Sequence, residues 1–89
     1  MQDDVLAQFG KRLAQVRKQK GWSQEKLALE SGLARSYLGG VERGKRNIAL
    51  VNICKLAVTL GVQPSVLMEF DGLGEANQAV AGISAIDEA

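Results

Sequence analysis

Apolar residues recur at intervals of three and four along most of this chain, and glycines separate the segments in which they do so. The first segment contains Leu6, Phe9, Leu13 and Val16. Their spacing places them on one face of a helix, predicted from about Val5 to Lys18. No segment shows the strict alternation of a half-buried strand. We therefore expect an all-α fold built from short helices.

Four further helices are predicted, at about residues 24–30, 35–43, 50–60 and 64–70. Ser23 is placed to cap the second helix, and Gly32 suits the positive φ often found just past a helix end. Pro64 fits the first turn of the fifth helix. We expect residues 1–70 to form one compact five-helix bundle. Residues 71–89 are an acidic, Ala/Gly-rich tail, either a short C-terminal helix or a disordered segment.

The composition excludes several classes of function. The 89 residues contain no histidine and one cysteine, Cys54, so zinc sites, histidine-based triads and a disulfide framework lack their parts. Cys54 lies beside Ile53 and is interpreted as a small buried hydrophobe. No uncharged apolar run approaches the ~20 residues that cross a bilayer. We expect a soluble, cytoplasmic protein that is not an enzyme and binds no cofactor, metal or membrane.

Charge is distributed unevenly along the chain. All 11 Lys and Arg residues lie between Lys11 and Lys55, where only Glu25, Glu30 and Glu42 oppose them. The tail from Asp71 onward contains carboxylates and no cation. Such segregation favours a basic surface that faces a polyanion, although a charge-rich helical face can also be merely solvated.

Two short helices around a glycine turn, followed by a basic segment, are typical of a helix-turn-helix. The relevant segments are Ser23-Gln24-Glu25-Lys26-Leu27-Ala28, Gly32, Ser36-Tyr37-Leu38 and Glu42-Arg43-Gly44-Lys45-Arg46. They resemble the Cro/repressor-type (Xre) helix-turn-helix family of bacterial and phage regulators, over roughly residues 5–70. The layout is also similar to the controller proteins of restriction–modification systems, which are small members of that family.

The resemblance implies a lambda repressor-like domain and a sequence-specific transcriptional regulator. Its partner would be double-stranded DNA, bound by a homodimer at an approximately palindromic operator. The predicted helix at about residues 35–43 would be the recognition helix in the major groove. RNA polymerase or another partner protein is a further expected contact. Activation and repression are both compatible with the sequence.

The resemblance also assigns roles to single residues. Gln24 matches a position that bonds a DNA phosphate and helps to orient the recognition helix, with an ordinary solvated glutamine as the alternative. Arg35 would read a base edge or contact a phosphate. Ser36 would lie against the groove floor or hold a phosphate. For Tyr37 we keep three roles: stacking on the sugar-phosphate wall, touching a thymine methyl, or packing onto the first helix.

Gly39 and Gly40 depart from the family, whose members often carry a longer polar residue at one of these positions. Two glycines add no side chain to base readout, so we expect much of the remaining specificity to come from DNA deformability. They would also permit close approach of the helix backbone to DNA. The residues after the helix match a phosphate-gripping loop: Arg43, Lys45, Arg46 and Asn47. Glu42 is expected to pair within the fold, with Arg12 or Arg17.

The segment after Gly61 contains more apolar side chains than one short helix needs for its contacts with the core. It predicts a dimer interface formed by Val62, Val66, Leu67 and Phe70. A second class of function also fits the fold: an antitoxin or other interaction module that binds a partner protein, for which the acidic tail could serve.

Overall fold

Helices form all the regular structure in residues 2–70, the part of the chain described by the computed structural model, with side chains described from Val5 onward. The helices are α1 (Gln2–Gln19), α2 (Gln24–Ser31), α3 (Arg35–Glu42), α4 (Leu50–Leu60) and α5 (Pro64–Leu67). The all-α expectation is confirmed for these residues. The predicted tail and its acidic residues lie outside them.

The core takes side chains from all five helices. Its buried members are Phe9, Leu13, Val16, Leu27, Ala28, Leu38, Val41, Leu56, Ala57, Leu60 and Leu67. Burying a large aliphatic side chain stabilises a fold by about 1.5–3 kcal/mol. Most of the stability of this small bundle therefore comes from these contacts between helices.

The turn between α2 and α3 is set by signals that the sequence displays. The Ser23 hydroxyl caps α2 and accepts a hydrogen bond from the Lys26 amide at 3.0 Å. Gly32 has a φ of 78°, and its amide donates to the Ala28 carbonyl at 2.9 Å. Ala28 is buried, which lets α2 and α3 pack closely. Both predicted turn features are confirmed.

A glycine on α1 sets how closely α1 and α3 approach. A Cβ atom built on Gly10 would lie 2.5 Å from the carbonyl oxygens of both Val41 and Glu42. Only a residue without a side chain fits against the α3 backbone at this distance. The C-terminal end of α3 is therefore held directly on α1.

Three sequence-based expectations are corrected. The first helix begins at Gln2, before the predicted Val5, and the fifth ends at Leu67, before Phe70. The chain leaves the helix because contacts distant in sequence hold the next residues: the Phe70 ring packs edge-on against Phe9, with centroids 6.4 Å apart. The third correction is that Cys54 is exposed, since α4 turns its opposite side to the core.

Candidate nucleic-acid interface

The outward side of α3 begins with two exposed polar residues. Leu38 and Val41 point into the core, which leaves Arg35 and Ser36 exposed in the first turn. Ala34 occupies the N-cap position and supplies no side-chain acceptor to the helix amides. This first turn is therefore free to meet a ligand, as expected of a recognition helix.

Two arginines from opposite ends of α3 converge above its middle. A Cβ atom built on Gly39 would lie 3.2 Å from Nη1 of Arg35, 3.2 Å from Nη1 of Arg43 and 3.7 Å from Oε1 of Gln24. The sequence predicted that the two arginines lie at opposite ends of the helix. Their backbones do, but their long side chains bring both guanidinium groups close to Gly39. The absence of a side chain at Gly39 leaves room for them. We call this arrangement of Arg35, Arg43 and Gln24 the guanidinium cluster.

Within residues 5–70, neither arginine of the cluster forms an ion pair with a carboxylate. Two cations held close together attract an anion more strongly than either does alone, and arginine binds phosphate and guanine edges through two parallel hydrogen bonds. The cluster can therefore bind a phosphate or the edge of a base.

A buried ion pair fixes the position of Gln24 in this cluster. The Arg17 guanidinium donates to both oxygens of the Glu42 carboxylate, at 2.8 and 3.0 Å. The Gln24 side-chain amide donates to the same carboxylate at 2.7 Å, and Arg17 also donates to the Trp22 carbonyl at 2.8 Å. The expected internal partner of Glu42 is therefore Arg17. Arg12 instead donates to the Val66 carbonyl at 2.7 Å.

The network joins the C-terminal end of α3 to α1 and to the start of α2. The Gln24 side-chain nitrogen donates to Glu42, and its oxygen lies near Gly39 on the side of the Arg35 and Arg43 guanidinium groups. Gln24 thus contacts Glu42 at the end of α3, and its predicted role in orienting the recognition helix stays a prediction. The proposed phosphate contact of Gln24 stays a prediction.

Tyr37 reaches α4 with its hydroxyl group, and it packs against the core cluster. Its hydroxyl accepts a hydrogen bond from the Asn52 amide at 3.1 Å, and the Arg46 guanidinium lies 5.2 Å from its ring centre. The ring is half-buried and covered by Arg46, while the hydroxyl hydrogen can still be donated. The two DNA contacts considered for Tyr37 stay predictions.

Gly40 makes room for the loop after α3. A Cβ atom built on Gly40 would lie 2.6 Å from Cγ of Arg46, so the arginine stem packs across the helix backbone at this position. Gly40 is therefore covered by Arg46, whereas close approach to DNA was expected there. The loop carries four exposed polar side chains, which are Arg43, Lys45, Arg46 and Asn47. Together with Arg35 they form one basic surface on and beside α3.

The residues predicted to form a dimer interface contribute to the core of the single chain. Leu67 has no exposed surface, and the partly buried Val62, Val66 and Phe70 pack against the core cluster. Leu67 therefore has no area to offer a partner. The interface stays a prediction for the other three side chains.

Sequence reasoning missed two features that bear on function. Asn52, which holds Tyr37, lies on another helix, and no local spacing identifies it. The exposed apolar side of α4 was missed although its residues Leu50, Val51 and Val58 follow a helical spacing, because the inward residues of α4 explained most of the same segment.

No described helix is long and apolar enough to cross a membrane. The same part of the chain contains no group of three or more side chains suited to hold a metal ion.

Comparisons with known proteins agree with this architecture. A family model described as helix-turn-helix matches residues 13–67. The control protein C.BamHI of Bacillus amyloliquefaciens is 43% identical over 79 residues, which cover 88% of this chain and 98% of that protein. The crystal structure of the restriction–modification controller protein C.AhdI from Aeromonas hydrophila has a TM-score of 0.69 and 60% identity, covering 70% of this chain and 94% of that one.

A third similar protein was solved with DNA. It is SinR, a master regulator for biofilm formation, whose structure in complex with DNA has a TM-score of 0.66 and 35% identity. The match covers 68% of this chain and 98% of that one. Since the family model spans more than half of the sequence, and relatives above 30% identity match most of it, this chain belongs to the Cro/repressor-type (Xre) helix-turn-helix family.

Proposed function

We propose that this protein is a transcriptional regulator that binds a specific DNA operator as a homodimer and has no enzymatic activity. The observation that carries the proposal is the guanidinium cluster over Gly39, on the exposed face of the helix that follows the Gly32 turn. A similar chain, SinR, has been solved in complex with DNA. The proposed place of action is the cytoplasm.

Base reading is assigned to the first turn of α3. Arg35 and Ser36 are exposed there, and a guanidinium can bond O6 and N7 of guanine together. Because Gly39 and Gly40 lack side chains, the second turn offers little to distinguish one base from another. DNA shape and deformability are therefore expected to contribute to specificity.

Phosphate binding is assigned to the remainder of the basic surface. Arg43, Lys45 and Arg46 are exposed in one loop and at the end of α3, and contacts of this kind hold a protein in register on the duplex. Gln24 would add its amide groups to a neighbouring phosphate. Tyr37 would act by holding Arg46 and by donating its hydroxyl hydrogen to the backbone.

The narrower role proposed is control of a restriction–modification system. C.AhdI is described as a restriction–modification controller protein and C.BamHI as a control protein, and each is matched over at least 94% of its own length. An antitoxin-like role is the alternative that the following experiment also addresses.

Selection of bound sequences from a pool of random duplexes tests the function. We expect approximately palindromic sites whose half-site centres lie about 34 Å apart, one helical turn of DNA. We also expect log affinity to fall linearly with log salt, with a slope near −0.9 per neutralised phosphate. Failure to enrich any sequence, together with a stoichiometric partner protein, would favour the interaction module instead. Occurrence of the selected site beside restriction–modification genes supports the controller role.

A further inference from the structure

Helix α4 supplies a polar side chain that contacts the recognition helix. Asn52, in the first turn of α4, is half-buried, and its side-chain nitrogen donates a hydrogen bond to the Tyr37 hydroxyl oxygen at 3.1 Å. Thr59, another polar residue of α4, donates its hydroxyl hydrogen to the Lys55 carbonyl within the same helix, at 2.8 Å. Asn52 therefore differs from Thr59 in that its hydrogen bond leaves the helix and reaches α3.

The direction of this hydrogen bond determines what the Tyr37 hydroxyl can offer to a ligand. A phenol group has one hydrogen to donate and an oxygen that accepts. Because Asn52 donates to the oxygen, the hydroxyl hydrogen must point elsewhere, and within residues 5–70 no group accepts a hydrogen bond from it. The Tyr37 oxygen is thus engaged inside the fold, and the hydroxyl is left as a hydrogen-bond donor.

Arg46 brings a positive charge to the same place. Its guanidinium carbon lies 5.2 Å from the centre of the Tyr37 ring, and its stem crosses Gly40, where an added Cβ atom would lie 2.6 Å from Cγ of Arg46. Arg46 forms no ion pair with a carboxylate in the described part of the chain. The oxygens of a DNA phosphate are negatively charged and only accept hydrogen bonds, so a hydroxyl donor and a guanidinium together match their chemistry.

We propose that Asn52 is a positioning residue for DNA binding. It holds the Tyr37 hydroxyl so that the hydroxyl hydrogen is donated to a phosphate oxygen of the operator backbone, beside the guanidinium of Arg46. Asn52 itself does not touch DNA. The inference rests on the proposed function and adds to the guanidinium cluster a separate phosphate site made by Tyr37 and Arg46, which we call the Tyr37–Arg46 site.

Raman spectroscopy of the full-length chain without DNA tests the positioning step. Tyr37 is the only tyrosine of the sequence, so the tyrosine Fermi doublet reports on this residue alone. The intensity ratio of the doublet is high when the hydroxyl accepts a hydrogen bond and low when it only donates one. Asn52→Leu removes the donor at similar volume and should lower the ratio. Asn52→Asp should lower it further, because its carboxylate accepts the hydroxyl hydrogen.

Gln15→Ala is the matched control for both the spectroscopic and the binding measurements. Gln15 is also an amide side chain hydrogen-bonded to another side chain, since its oxygen accepts from Arg12 at 2.7 Å, but both residues lie on α1. This variant should leave the Raman doublet and the operator affinity unchanged. A doublet that is the same in the unmodified chain and in both Asn52 variants would overturn the proposal.

A double-mutant cycle on the selected operator tests the link to DNA. Asn52→Leu should weaken binding about threefold to tenfold, the usual effect of one lost hydrogen bond. In a Tyr37→Phe background, which lacks the hydroxyl, the same substitution should have no further effect. The slope of log affinity against log salt should not change, because no cation is removed. Arg46→Ala should instead reduce that slope by about 1 per subunit.

Operators in which one phosphate at a time is replaced by a neutral methylphosphonate identify the acceptor. At one position per half-site, the replacement should weaken binding of the unmodified chain more than binding of Tyr37→Phe. The absence of any such position would overturn the assignment of the hydroxyl to a phosphate.

Two results of the cycle would also overturn the proposal. One is an Asn52→Leu variant that binds the operator as tightly as the unmodified chain. The other is an equal loss of affinity with and without the Tyr37 hydroxyl, which would make Asn52 a support of the fold alone. An unmodified chain that binds no DNA would defeat the proposed function and the phosphate step together, while the Raman result would still show whether Asn52 orients the hydroxyl.

Discussion

The Arg17 guanidinium and the Glu42 carboxylate form a two-point ion pair, with N–O distances of 2.8 and 3.0 Å, beneath the helix that carries the basic surface. Their side chains are only 9% and 5% exposed. The Gln24 amide donates to the pair, and the Trp22 carbonyl accepts from it. No described buried side-chain nitrogen or oxygen, in this pair or elsewhere, lacks a hydrogen-bond partner. The pair thus fixes α3 relative to α1 and α2.

Breaking this pair should destabilise the fold strongly. Glu42→Gln removes the charge that balances a buried guanidinium, and we expect a loss of about 3–5 kcal/mol in the free energy of unfolding. Urea denaturation monitored by circular dichroism measures it. Glu30→Gln is the matched control, since the Lys26–Glu30 pair on α2 is nearly half exposed and should contribute less than about 1 kcal/mol. Equal losses in both variants would show that Glu42 is not the structural centre of the network.

A missing helix cap offers a way to stabilise the recognition helix. Ala34 precedes α3 and has no side-chain oxygen to accept a hydrogen bond from the first helix amides, so Ala34→Ser should add about 0.5–2 kcal/mol and raise the melting temperature. Ser23→Ala should lower stability by a similar amount, because Ser23 caps α2. An unchanged melting temperature for Ala34→Ser would contradict the expected benefit, and would point to water already bound at those amides.

Gly39→Ala should change stability and DNA affinity in opposite directions. Alanine improves helix propensity by up to about 1 kcal/mol, and the ends of Arg35 and Arg43 can move away from the new methyl group. The same movement opens the guanidinium cluster, so affinity for the selected operator should fall. Thermal unfolding and fluorescence anisotropy measure the two effects.

Gly10→Ala is the contrasting substitution. Its methyl group would meet backbone oxygens of α3 at 2.5 Å, which cannot move aside as an arginine tip does, so this variant should be less stable. If Gly39→Ala binds the operator as tightly as the unmodified chain, the cluster has no part in binding.

The local signals of the sequence were sufficient to predict most of the helices. Apolar spacing located α1 and α4, Ser23 and Gly32 placed the turn before α3, and Pro64 placed the start of α5. These features depend on residues within a few positions of one another, so they are visible in a single sequence.

Contacts between distant residues could not be predicted in the same way. The fifth helix ends early because Phe70 packs on Phe9, 61 positions away in the chain. The convergence of Arg35 and Arg43 depends on the conformations of two long side chains. Cys54 was predicted to be buried because its neighbour Ile53 is apolar, and only the packed bundle shows which side of α4 faces outward.

Comparison of two arginine variants on two DNAs tests the central claim, which is that α3 and its basic surface recognise an operator. Fluorescence anisotropy would measure the affinity of Arg35→Ala and Arg43→Ala for the selected operator and for a random duplex over a range of salt concentrations. Ala34→Ser provides a control for changes in stability, because it alters α3 without removing a charge.

Arg35→Ala should lose about 1–3 kcal/mol on the operator and little on random DNA, with relaxed preference at one base position per half-site. Arg43→Ala should weaken both complexes alike and reduce the salt slope by about 1 per subunit. Equal weakening of both DNAs by Arg35→Ala would make Arg35 a phosphate contact. If neither variant differs from the unmodified chain on either DNA, α3 does not bind DNA and the account is contradicted.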